Sequence, residues 1–250
     1  MPQHPPPLPS RPSLPPLARS AVAGRLERAV LDALAVVLPV RCAGCGEPDR
    51  AVCDACRVAL AAAPHLVERP GLSAWAALEY AGPVASAIGE FKDGGRTDAS
   101  PALALALRSA IARAVEAAPP GRALEVCTIP SAPSAHRARG YAPVEVLLAR
   151  CGIRSSKVLA LARGRVDQAG LGAEARRANS AGGLVAVRLL TGRRFLLVDD
   201  VLTTGSTLAE AARAIIAAGG SAGAFAVLAE TPLRHGGHAA KSPETLRDFA

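Results

Sequence analysis

A parallel α/β sheet flanked by helices, behind a small four-cysteine module, is the fold class this sequence predicts. Apolar strand-like runs alternate with alanine- and leucine-rich helical runs from residue 75 to residue 229. Such alternation implies strands joined in parallel by crossover helices. The run Phe195-Leu196-Leu197-Val198 has no polar interruption, which suits a central strand covered on both faces. Ahead of the first strand, Cys42, Cys45, Cys53 and Cys56 fall into two Cys-x-x-Cys pairs.

In chain order, residues 1–18 contain Pro5-Pro6-Pro7 and Pro15-Pro16. They cannot form a packed core, and read as a disordered tail or an uncertain start site. Residues 19–38 carry Val22, Leu26, Ala29, Val30, Ala33, Leu34 and Val37 at helical spacing, so 19–66 reads as a helix plus the cysteine module. A domain over 72–230 follows. It begins with a strand at 75–80, a helix at 83–91 and a turn at Asp93-Gly94-Gly95. A long helix is expected over 100–118, with Pro101 as a stiff starter in its first turn. The next strand, 124–129, ends at Pro130-Ser131, and a helix over 143–150 closes near Gly152. After the apolar run, a helix over 208–218 stops at Gly219-Gly220 and a last strand covers 224–229. Residues 231–250 read as a polar tail.

The 250 residues suffice for one sizeable core and one small module. Half are apolar but only 3% are aromatic, so the core is expected to be aliphatic. Scarce rings argue against a base-stacking platform for single-stranded nucleic acid. No Gly-x-Gly-x-x-Gly follows any strand, which argues against a dinucleotide-dependent dehydrogenase. The apolar stretch 29–40 is interrupted by Asp32 and is shorter than the roughly 20 residues of a spanning helix. No membrane insertion and a cytoplasmic location are expected. Net charge is +8, and between Ser134 and Arg194 twelve Lys and Arg face only Glu145, Asp167 and Glu174. That middle segment attracts anions. A small polyphosphate and a longer nucleic-acid track both fit, as does a solvated basic face.

The two Cys-x-x-Cys pairs lie close together, and Gly44 and Gly46 permit the tight turns that aim amides at thiolates. Four thiolates from two such turns match a tetrahedral structural Zn2+ site with no open position for catalysis. An iron-sulfur cluster or a redox role is the alternative. Cys127 and Cys151 read as small core residues.

After the apolar run come Asp199-Asp200 and then Thr203-Thr204-Gly205-Ser206-Thr207. Adjacent carboxylates on an extended segment point to opposite faces. One can accept hydrogen bonds from sugar hydroxyls while the other faces a metal, water or the sheet. The loop supplies amides, hydroxyls and a flexible glycine ahead of a helix N-terminus, where a dianionic 5'-phosphate fits. An ordinary βα turn capped by Ser or Thr would explain the hydroxyls but not two acids before them.

Residues 195–207 resemble the phosphoribosyl pyrophosphate (PRPP) motif of type I phosphoribosyltransferases. Around them lie Phe91-Lys92-Asp93-Gly94-Gly95-Arg96, Ile129-Pro130-Ser131, Arg137-Ala138-Arg139-Gly140-Tyr141, Gln168-Ala169-Gly170-Leu171 and Arg176-Arg177-Ala178-Asn179. In this order behind a four-cysteine module, they resemble the ComF family of competence-associated proteins over residues 40–230. The resemblance implies a type I phosphoribosyltransferase-like domain behind a zinc finger, with Mg2+ accompanying PRPP. It implies that Asp199 and Asp200 hold the ribose hydroxyls and that Thr203, Thr204, Gly205, Ser206 and Thr207 hold the 5'-phosphate. Ser131 would approach pyrophosphate, Arg137 and Arg139 would cover it, and Lys92 and Arg96 would face the same cleft. Where the family follows its Arg-Gly-aromatic element with Asn-Gln, this chain has Ala142-Pro143, so two amide side chains on the acceptor side are missing. The activity implied is a phosphoribosyltransferase with an unnamed acceptor. The alternative is a non-catalytic competence protein of DNA uptake, binding single-stranded DNA or a partner protein of the competence machinery.

Overall fold

The computed structural model describes residues 40–162 and 182–232. The expected helix at 19–38, the proline-rich start, the Gln168 and Arg176 motifs and nearly all of the polar tail lie outside the described residues. The elements are α1 (Asp54–Ala59), β1 (His65–Arg69), β2 (Leu72–Glu79), α2 (Gly82–Lys92), α3 (Ser100–Ala117), β3 (Leu124–Thr128), α4 (Pro133–Arg139), α5 (Pro143–Arg150), β4 (Leu159–Leu161), β5 (Leu184–Ala186), β6 (Arg194–Leu202), α6 (Ser206–Ala217) and β7 (Ser221–Glu230). The main sheet runs β1-β2-β7-β6-β3. Its β2, β7, β6 and β3 are parallel, and β1 is antiparallel at the edge. β4 and β5 form a separate antiparallel pair.

The apolar run sits where its composition requires, in β6 between β3 and β7. Side chains alternate between the faces of a strand, so Leu196 and Val198 enter one core cluster while Phe195 and Leu197 enter the other. The first cluster holds α2, α3 and α5 against the sheet, with Leu103, Leu107, Ala110, Ile111 and Ala114 forming the stripe of α3. The second holds α6 and the β4-β5 pair. Both faces of β6 are therefore dry, and the polar end of the strand is where a ligand can reach it. A bulge where Phe195 and Leu196 oppose Ala222 and Ala224 leaves Gly223 as the extra residue. A Cβ there would lie 2.7 Å from Leu124 Cδ2, so a larger residue would push β3 aside.

The parallel α/β expectation holds, with differences at the ends of elements. β2 starts at Leu72 and β7 at Ser221, each three residues before the strand its hydrophobicity predicts. α6 starts at Ser206, inside the hydroxyl-rich loop. The strand β1, the short pair β4-β5 and the helices α1 and α4 had no counterpart in the sequence pattern. Two of these bear on function, since α4 lies beside the strand-end cavity and β1 carries Arg69.

Candidate functional site

A cavity of about 220 Å³ opens at the carboxyl ends of β3 and β6, with Asp199 and Asp200 in its wall. Asp199 Oδ1 accepts a hydrogen bond from the Asp200 amide at 2.9 Å, and Asp200 Oδ1 one from the Val201 amide at 2.7 Å. Lys92, the last residue of α2, places Nζ 2.7 Å from Asp200 Oδ2. Burial, reinforced by the Asp200 carboxylate, pushes the Asp199 carboxyl up to about 7, against the Asp200 amide and the Lys92 ammonium, which favour the anion. Hard carboxylate oxygens at the mouth of a cavity are donors of the kind Mg2+ takes.

The loop after β6 turns at Gly205, whose φ of +80° is a left-handed conformation open to glycine. Thr204 Oγ1 lies 3.1 Å from Ser206 Oγ and accepts from the Ser206 amide at 3.4 Å. Gly205, the residue before α6, has no side chain to cap the helix, Thr204 Oγ1 takes the Ser206 amide, and the positive end of the helix dipole lies beside the exposed Thr203, Thr204 and Thr207.

Across the cavity, Ser131, His136 and Arg139 lie with Ile129, Pro130, Ala142 and Pro143. Arg139 is held by Asp93, with its Nη2 and Nε at 2.9 and 3.1 Å from Oδ1. Arg137 is exposed on α4 and is not among the lining residues. Arg96 turns to Asp98, 2.7 Å away, rather than to the cavity acids. Ala142 precedes α5 and Pro143 starts it, so the missing amide pair is replaced by an apolar stretch of wall. A further polar group lining the cavity is Glu145, which the sequence pattern did not single out. Its carboxylate accepts from Ser155 Oγ at 2.8 and 2.9 Å, and also meets Thr128 Oγ1 and Lys157 Nζ. Burial works to raise its pKa, but Lys157, Thr128 and Ser155 outweigh that and hold it below the ordinary value. Its one sequence signal was being an acid in a strongly basic segment.

Other cations of that segment are committed to the scaffold. Arg193 grips Glu125 with Nε at 2.7 Å and Nη2 at 2.5 Å, and Arg194 donates to the Arg122 and Pro119 carbonyls at 3.0 and 2.9 Å.

In the amino-terminal module, the Sγ atoms of Cys42, Cys45, Cys53 and Cys56 all lie within 4.8 Å of one another, and those of Cys45 and Cys53 are 3.6 Å apart. A tetrahedron with Zn–S bonds of about 2.3 Å has sulfur separations of about 3.8 Å, so the four sulfurs fit a structural zinc-type ion. Cys53 precedes α1 and Cys56 lies in its first turn. The Gly44 and Cys53 amides point at Cys42 Sγ at 3.4 and 3.3 Å. Burial raises the Cys42 pKa, but the amides of Cys53, Cys45 and Gly44 outweigh it and bring the thiol down to about 6. Desolvation and the neighbouring thiols push Cys56 up. Four thiolates cannot coexist without a cation, and a dication supplies it. Cys127 is buried, Cys151 half-buried, and desolvation raises both thiols, as suits inert core residues.

Residues 152–242 match the family model of the phosphoribosyl transferase domain. The matched phosphoribosyl transferase segment contains Asp199, Asp200 and the whole loop to Thr207. It shares its sheet with β1, β2 and β3, which precede the matched residues. A ribose phosphate is the ligand class that a domain of this kind suggests. No curated protein matches the chain. Among the described residues no helix is long and apolar enough to cross a membrane.

Proposed function

We propose that the chain binds PRPP with Mg2+ at the carboxyl ends of β3 and β6 and transfers its phosphoribosyl group to a nitrogen acceptor. The supporting observation is the placement of Asp199 and Asp200 in the wall of the cavity, on the strand whose following loop, 203–207, leads into the N-terminus of α6 without itself lining that cavity. In this reading the two carboxylates orient the ribose hydroxyls, and the amides and hydroxyls of 203–207 hold the 5'-phosphate. Ser131 and Arg139 lie where they can meet pyrophosphate, and Arg suits it through paired donors. Lys92 exchanges Asp200 for a ligand oxygen. In the reaction the ribose C1–oxygen bond to pyrophosphate breaks, a C1–nitrogen bond forms, and the acceptor nitrogen loses a proton. Held beside Asp199 and Asp200, Mg2+ would neutralise charge on the departing pyrophosphate. The four-cysteine cluster ahead of the matched domain supports a ComF-like protein with a structural zinc.

Calorimetric titration with PRPP and Mg2+ tests this reading. The zinc-loaded protein is expected to bind saturably, and the Asp199→Ala/Asp200→Ala variant to lose that binding while remaining folded. A folded wild-type protein that ignores PRPP would shift the reading to a non-catalytic scaffold.

A further inference from the structure

We propose that Arg69 is a positioning residue for the phosphate loop, acting from the β1-β2 hairpin through the Thr203 carbonyl, with Glu230 holding it in place. The inference rests on the ribose phosphate reading above. The Arg69 side chain is only 4% exposed, and its donors are spread over four acceptors. Nε donates to the Thr203 carbonyl at 2.7 Å, and Nη2 donates to Glu230 Oε2 and to the Thr231 carbonyl, both at 2.8 Å. Nη1 donates to the Glu68 carbonyl at 3.0 Å. The Thr231 amide in turn donates to the Leu202 carbonyl at 2.9 Å. One guanidinium thus ties the first loop residue, the end of β7 and the hairpin together.

The second contact is steric. A Cβ on Gly205 would lie 3.2 Å from both Arg69 Cβ and Leu72 Cδ2. The turning residue of the loop therefore rests directly on hairpin side chains. The loop's own side-chain bonds are the Thr204–Ser206 contacts at 3.1 and 3.4 Å, which leave its path dependent on this outside support. Amides bind an anion well when they already converge on it, because the ordering cost is then met before binding. A planar fork serves here and an ammonium does not, because the four acceptors exceed an ammonium's three donors and are reached from three different nitrogens of the guanidinium. No local sequence signal marks Arg69, which stands 134 residues before Thr203.

The test separates positioning from general stability by using two ligands. Ribose 5-phosphate engages the loop, whereas magnesium pyrophosphate engages the Ser131–Arg139 side. Two variants are titrated with each: Arg69→Met/Glu230→Met, which removes a buried pair without orphaning a charge, and Arg69→Lys. Both are expected to bind ribose 5-phosphate about tenfold more weakly, the loss of roughly one well-placed hydrogen bond's worth of preorganisation. Magnesium pyrophosphate binding is expected to stay within about twofold, a change too small for a lost contact. Equal weakening of both ligands, or no weakening of ribose 5-phosphate, overturns the proposal. So does failure of both variants to fold, which would make Arg69 a core element. A wild-type protein that binds neither ligand overturns the ribose phosphate reading itself, a result distinct from any difference between variants.

Discussion

Asp199 and Asp200 are neighbours in sequence with different surroundings, and Asp199 has a pH signature. Its folded carboxyl keeps its proton to about 7, against 3.8 for an ordinary aspartate. Its stabilising contribution is thus full below the lower value and is lost as pH rises through the higher. Between pH 4 and 8, thermal melts of ligand-free wild type should fall relative to Asp199→Asn. Parallel curves would contradict the shifted pKa. Gly205 offers a backbone test. Alanine at φ +80° costs about 1–2 kcal/mol, and the Arg69 and Leu72 contacts at 3.2 Å add to it. Denaturant unfolding of Gly205→Ala should show a loss of at least that size, and a neutral substitution would mean the loop relaxes freely. Both acids and the glycine were legible in the sequence because their chemistry is local, while Glu145 and Arg69 act through partners far along the chain.

At the scale of elements, the strands carrying the site were legible where burial is complete. β6 and β7 lie between other strands, so their apolar runs are long and unbroken. β1 is an edge strand with only Val67 and Arg69 buried, and β4 and β5 have three residues each, too few for a periodic signal. α4 buries no residue at all, so no apolar stripe announced it. α5 was legible in its bounds but not in its role as a brace. Through Glu145 it ties Thr128 at the end of β3 to Ser155 and Lys157. Glu145→Gln should destabilise the fold by about 1–3 kcal/mol, because a neutral amide leaves hydroxyl and ammonium donors less well satisfied. Chemical denaturation measures it, and an unchanged midpoint would show the brace to be dispensable. On α3, Leu107→Ala opens a void in a fully buried stripe and should cost about 2–5 kcal/mol by the same measurement.

For the whole molecule, the cysteine module is not an appendage. Cys42, Val52, Cys56 and Leu60 belong to the same buried cluster as Leu78, Val84 and Ile88, and that cluster continues to Leu196 and Val198 of the central strand. The spacing of the cysteines disclosed a cluster that could hold a metal ion, but nothing in it disclosed this shared core, which arises from how α1 lies against α2. Gly44 is part of that junction, since a Cβ on it would sit 2.7 Å from Cys56 Sγ and 3.2 Å from the Pro83 carbonyl. Stripping metal with a strong chelator should lower the melting temperature by at least about 2–4 °C, the shift of a 1 kcal/mol change in a chain of this size. Calorimetry should show one transition, restored by added zinc, whereas two separate transitions would mean the module melts alone. An ion bound by the folded chain and not by the unfolded one adds stability that grows with the logarithm of its free concentration. A cell's supply of that ion would then govern how much of this chain stays folded, from a module separate in sequence from the matched residues 152–242. Metal starvation would be felt first as a shortage of folded protein.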